Sequence, residues 1–300
     1  MKSIQETLKE NRPHLSQGSL TTYTSILKNL FYKAHSKDSS VNPAWFEKQD
    51  EILKLLHDVP SRNRKTILSA LVVVNNGNHV DKYKKLMEED GKISKDEILD
   101  QQKSDSQNKN WVSQEEIRTL FDKTLKDVRP LFKKKSFDEF KPSEYRRFQD
   151  LIMLACMAGV FIPPRRSQDF TEMRIKGPID KESENYMTKT SFVFNKYKTA
   201  KFYGKQEVDI PKDLRLLLNK FIRVNPYPYL FTDSGGSKMN SVKISQRLNS
   251  VFGGKHVSVN ILRHSYLSDK YKHVPNLKDM LRTSEEMGHS LSEALEYVKR

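Results

Sequence analysis

Along the first hundred residues the apolar positions recur at helical spacing and are interrupted by short polar breaks. Tyr23, Ile26, Leu27, Leu30 and Phe31 share one face of a helix that Ser19 or Thr21 can cap, and the polar run 36–40 ends it. Asn42 and Pro43 open a second helix over 44–57, with Trp45, Phe46, Ile52, Leu55 and Leu56 largely on one side. Pro60 and Ser61 begin a third, which carries Ile67, Leu68, Leu71, Val72 and Val73 up to the turn 75–77. Two more helices are expected at 80–89 and 94–102. No segment here alternates with period two, so the pattern predicts a small helical bundle with polar outer faces.

Residues 101–110 are polar throughout, which is how an interdomain linker looks. A new helix follows Trp111, with Ser113 and Glu116 spaced as a capping box. An apolar helix over 145–161 stops at Pro163 and Pro164. The segments 190–195 and 206–210 read as strands around a basic turn, 196–205. Helical patterns resume at 213–224 and 241–252, and 257–297 is mostly helical, with Ser258 as an N-cap and Gly288 as a break. The expected fold is mainly α with a small β-sheet: a helical domain over 1–105, a linker at about 101–110, and an α/β domain over 111–300.

Charge changes the picture more than composition does. Lys and Arg number 53 against 38 Asp and Glu, a formal net charge of +15 with a pI near 9.6, which points to a polyanionic partner. Nucleic acid fits better than a membrane, because the longest apolar run is shorter than the roughly 20 residues a bilayer requires. The N-terminus lacks the apolar stretch of a secretory signal, so an intracellular protein of cytoplasm or nucleus is expected. Lys28, Lys33, Arg62, Arg64 and Lys65 are available to the polar faces of the helical domain, where solvated charge is the ordinary reading. The single cysteine, Cys156, lies in the apolar helix and reads as a packing residue. His14, His35, His57, His79, His256 and His273 show no metal-ligand spacing. Ser234 to Ser237 reads as a tight turn rather than a phosphate loop, since it lacks the Gly-Lys-Ser/Thr ending.

Several residues of the second domain carry candidate chemistry. Arg165 follows the rigid Pro163-Pro164 turn, where a guanidinium is pre-positioned to fork onto phosphate oxygens; Arg166 is the alternative at the same turn. Lys198 sits in the basic turn, placed to give a proton to a leaving oxygen. Arg263 lies near a helix start with His264 beside it. His289 and Tyr297 are about two helical turns apart.

The order and spacing of Arg165, Lys198, Arg263, His289 and Tyr297 resemble the tyrosine recombinase family, which includes phage integrases and chromosome-dimer resolvases. The matching segments are the box from Pro163 through Arg165 to Phe170, Lys198-Thr199 in a hairpin, Ile261 to Tyr266, Met287 to Ser290, and the late Tyr297. The resemblance implies a helical DNA core-binding domain and a catalytic domain that clamp double-stranded DNA, with four protomers assembled for strand exchange. It further implies that Tyr297 attacks a scissile phosphate to give a 3′-phosphotyrosyl bond, without metal or cofactor. Arg165 and Arg263 would stabilise the phosphorane, Lys198 would protonate the 5′-oxygen, and His289 would hydrogen-bond a non-bridging oxygen.

Asn260 stands where the family usually has a histidine, and an amide cannot accept the tyrosine proton, so the base is open, with His264 as one substitute. The interval from His289 to Tyr297 is one residue shorter than the family's usual spacing. Only three residues follow Tyr297, little for the segment that in this family packs on a neighbouring protomer, so either the chain continues or assembly uses another surface. The rival readings are a type IB topoisomerase, and a DNA-binding protein that keeps the fold without the catalysis.

Overall fold

A computed structural model describes residues 2–274, 276–286 and 291–292. The described residues form a mainly helical structure with one small antiparallel sheet, and they divide into two compact units.

The first unit is built on α1 (Ile4–Asn11), α2 (Gln17–Ala34), α3 (Gln49–Leu55), α4 (Ser61–Val74) and α5 (Asp81–Asp100). α1 was not foreseen from periodicity, since only Ile4 and Leu8 are buried, but a Ser3–Glu6 capping box starts it. Asn11 then ties it to α4 by donating to the carbonyls of Val73 and Val74, both at 2.9 Å. Ser16, rather than Ser19 or Thr21, caps α2 by accepting from Ser19 N. The expected helix over 44–57 is two pieces, a 3-10 turn Pro43–Glu47 and α3, parted at Lys48. The two helices expected over 80–102 are one, because Gly91 lowers helix propensity without breaking it.

Leu27, Phe46, Ile52, Leu56, Leu68, Leu71 and Tyr83 are among the fully buried residues of this core. Tyr83 Oη and Asn75 Nδ2 both donate to the Phe46 carbonyl, at 2.9 and 2.8 Å. Arg64 departs from its expected place on a solvated face. Its Nε and Nη2 fork onto the two oxygens of buried Asp90 at 2.9 and 2.6 Å, and this bidentate hydrogen bonding raises the arginine pKa. Lys28, Lys33, Arg62 and Lys65 are exposed.

The second unit, Lys103–Val274, comprises α6 (Asp105–Asn110), α7 (Gln114–Val128), α8 (Pro142–Met157), α9 (Ser167–Thr171), β1 (Tyr186–Met187), β2 (Ser191–Phe194), α10 (Ala200–Tyr203), β3 (Gln206–Asp209), α11 (Lys212–Val224), α12 (Ser241–Val251) and α13 (Val259–Lys270). The stretch read as a linker contains α6, started by a Ser104–Gln107 capping box. α8 is the axis of this core, with every residue from Phe148 to Met157 buried, Cys156 included. Asp150 on α8 pairs with Arg247 Nε on α12, both largely buried, and burial raises the carboxyl pKa.

β2 is the central strand, antiparallel to β1 and β3, with Ser191 opposite Asp209 and Phe194 opposite Gln206. All four β2 residues are buried, so it reads as an apolar run rather than an alternation. The last described helix, α14 (Leu277–Glu286), belongs to the first unit: Leu277 N donates to Gln101 Oε1 at 3.0 Å and Lys278 pairs with Asp100 at 2.9 Å. No described helix is long and apolar enough to cross a membrane.

Candidate functional site

α8 stops at Ala158, ahead of the prolines expected to end it, because Gly159 turns the chain at φ 83°. A Cβ at Gly159 would lie 2.7 Å from Tyr266 Cδ2 and 3.2 Å from Gln114 Oε1, so the glycine lets α13 and α7 approach the end of α8. Gln114 Nε2 completes this junction by donating to Ser265 Oγ at 3.2 Å, both residues being buried. α13, capped by Ser258 as the sequence indicates, thus buries Ile261 and Leu262 and holds Arg263 half-buried, with Asn260 and His264 exposed.

Past Pro163 and Pro164, Arg165 is thoroughly engaged. Its Nε donates to Asp169 Oδ2 and its Nη1 to Gln206 Oε1, both at 2.9 Å. The guanidinium lies 4.0 Å from the centroid of the Phe194 ring and 5.2 Å from that of Tyr197. Arg166, the N-cap residue of α9, is half-buried; its carbonyl accepts from Asp169 N at 3.0 Å, while its guanidinium makes no hydrogen bond or ion pair among the described residues. The guanidinium of Arg263 makes none either among the described residues.

Asp169 is the electrostatic centre of this cluster. Its side chain is 3% exposed, and burial raises its pKa against the opposing pull of Arg165, Arg166 and Arg263. All three arginines therefore lie within electrostatic reach of one carboxyl group. Asp169 Oδ1 is buried with no hydrogen-bond partner among the described residues. The surplus of guanidinium over carboxylate makes this a place where an anion is favoured.

Buried Asn185 fastens the hairpin to α9. Its Nδ2 donates to the carbonyls of Asp169 (3.0 Å) and Lys196 (2.8 Å), and its Oδ1 accepts from Asn195 N (2.9 Å) and Lys196 N (2.7 Å). Glu172, just after α9, accepts from Lys196 at 2.8 Å and Lys238 at 2.6 Å, and these bonds hold its pKa below the ordinary glutamate value. Lys198, two residues beyond this knot, is exposed and carries no ion pair among the described residues.

Arg165 thus contacts Asp169 directly, Arg166 and Arg263 act on its charge, and the Lys198 turn is anchored to the same elements through Asn185. Asn260 lies one helical turn before Arg263. His289 and Tyr297 lie outside the described residues. Sequence reasoning missed the parts played by Asp169, Asn185, Glu172 and Gln206. Only the Arg165–Asp169 spacing, four residues apart at a helix start, gave a usable signal. A separate cavity of about 650 Å³, lined by Phe137, Tyr145, Tyr227, Met239 and Arg247 among others, contains none of the cluster residues.

No family model matches this chain, and no curated protein matches it. Among solved structures it is similar to the crystal structure of XerA recombinase, over 100% of this chain and 94% of that one, at 11% identity and a TM-score of 0.35. A likeness at that identity and score carries no argument about function.

Proposed function

We propose that this chain cleaves and rejoins double-stranded DNA as a site-specific tyrosine recombinase. The observation that carries this reading is the gathering of two unpartnered guanidiniums, Arg166 and Arg263, around the Arg165–Asp169 pair to which the Lys198 turn is tied. A diester phosphate becomes more negative as it turns into a phosphorane, so guanidiniums aimed at its oxygens stabilise the transition state preferentially. Arg165 contributes through Nη2, the nitrogen its protein contacts leave open, and Arg166 through its whole guanidinium. Arg263 completes the set, and His289 hydrogen-bonds a non-bridging oxygen.

The step itself is a phosphoryl transfer. Tyr297 Oη bonds to phosphorus, the bond from phosphorus to the 5′-oxygen breaks, and Lys198 gives that oxygen a proton. A phenol has a pKa near ~10, so its proton must leave as it attacks. Asn260 cannot take it, so the proton passes to exposed His264, the imidazole beside Arg263, or to water. Charge stabilisation by arginines asks for no metal. Strand exchange between two duplexes places four protomers on the DNA.

The test is a nicked duplex that traps the intermediate, followed by denaturing electrophoresis. A covalent protein–DNA adduct is expected, and Tyr297→Phe is expected to abolish it. Failure to form an adduct on any substrate, the correct site included, would sink the enzyme reading. Asn260 favours a second reading, a DNA-binding protein on the same fold that has lost catalysis. That protein would bind duplex DNA and form no adduct, whereas relaxation of any plasmid would mark a type IB topoisomerase.

A further inference from the structure

The connection between β2 and β3 carries a feature that phosphate chemistry does not use. α10 is a single turn whose last two residues, Phe202 and Tyr203, are 73% and 69% exposed, the most exposed large hydrophobic side chains among the described residues. Two adjacent aromatic rings left in water are a costly arrangement, since each has a large apolar face to bury.

The turn that presents them is firmly built. Thr199 O accepts from Phe202 N and Tyr203 N at 3.0 and 3.2 Å, and Gly204 N donates to Ala200 O at 2.7 Å. Tyr197 Oη closes the base of the turn by donating to Gly204 O at 2.7 Å. Gly204 sits at φ 64°, ψ −158°, a region essentially restricted to glycine. The rings therefore stand on a preformed support.

Their surroundings select a polyanion. Residues 195–206 contain no Asp or Glu, and Lys201 and Lys205 are exposed without ion pairs among the described residues. Lys201 Nζ is 4.8 Å from the centroid of the Phe202 ring. Both ends of the connection touch Arg165, through the Tyr197 ring and Gln206 Oε1, so the platform is rooted in the cluster that attracts phosphate. A nucleic acid offers both chemistries at once, phosphates for the lysines and π-faces for the rings.

We infer that Phe202 and Tyr203 form a stacking platform for unstacked nucleobases of bound DNA, with Lys201 and Lys205 on the flanking phosphates. The inference rests on the reading of the arginine cluster as a DNA phosphate site.

The test uses the full chain and two DNA duplexes, one fully paired and one with a short unpaired stretch carrying 2-aminopurine. Wild type is compared with a Phe202→Leu, Tyr203→Leu double variant, which keeps apolar bulk and removes the π-faces. Thermal melting controls for folding, and should not move for side chains this exposed. Wild type is expected to quench 2-aminopurine and to prefer the unpaired duplex. The double variant is expected to lose the quenching and about tenfold or more in affinity for unpaired DNA, from stacking of a few kcal/mol at most per base, while binding paired DNA within about twofold of wild type. Unchanged quenching and affinity would overturn the inference, as would an equal loss on both duplexes. A wild type that forms the covalent adduct while the variant quenches normally defeats this inference alone. A stacking difference without any adduct defeats the catalytic reading and leaves the platform standing.

Discussion

At the scale of single residues, neighbouring arginines differ in how the protein engages them, and the proposed function assigns them different work. Arg165 compensates a buried carboxyl group, so Arg165→Ala strands Asp169 and is expected to cost about 3–5 kcal/mol in urea unfolding. The Arg166 guanidinium makes no hydrogen bond or ion pair among the described residues, so Arg166→Ala should change stability by less than about 0.5 kcal/mol and, on the proposed function, sharply reduce adduct formation. Equal loss of stability in both variants would refute the division. Glu172 supplies a pH test. Its folded pKa is lowered, first by hydrogen bonds from Lys196 and Lys238, so its stabilising contribution is complete above the unfolded value of about 4.3 and disappears as pH falls through the folded value. Acid titration followed by unfolding should therefore show a loss below pH ~4 that Glu172→Gln lacks. These partnerships were mostly illegible in the sequence, because Asn185 to Asp169 and Arg165 to Gln206 are contacts made by folding.

At the scale of elements, local chemistry set the starts and tertiary packing set much of the rest. The capping box at Ser113–Glu116 and the cap at Ser258 act where local spacing indicates, since a cap needs only its own next three residues. α8 ends at Ala158 rather than at Pro163, because Gly159 turns the chain at φ 83°, and the approach of Tyr266 and Gln114 leaves no room for a Cβ there. α5 shows the opposite case. It runs through Gly91, where an added Cβ would meet nothing within 4 Å, so Gly91→Ala should stabilise the chain by about 0.5–1 kcal/mol, read as a higher urea midpoint at unchanged slope. β2 is recognisable by its aromatic and β-branched residues, whereas two-residue β1 is set by pairing with β2 and by a bridge to Arg174.

At the scale of the whole molecule, a net charge of +15 makes any DNA complex depend on counterion release. Affinity for a duplex should fall linearly on a log–log plot against salt, and neutralising exposed Lys28, Lys33, Arg62 and Lys65 together should flatten the slope. An unchanged slope in that variant would exclude these four residues from phosphate contact. Arg64 is omitted because its charge is held against Asp90. Composition could not separate these cases, since a lysine on a wet face and an arginine in a buried pair count alike.

The sequence by itself determined that this chain is mainly helical with a small sheet, strongly basic, and furnished with arginine boxes in a definite order. Those properties reside in local periodicity, in capping chemistry and in charge, none of which needs distant contacts. Only the tertiary structure decided which guanidiniums are engaged and which are not, that buried Asp169 pairs with Arg165, and that two aromatic rings stand exposed on the Lys198 connection. Such facts depend on desolvation and on partners far apart in the chain, and these exist only once α9, β2, β3 and α13 have packed.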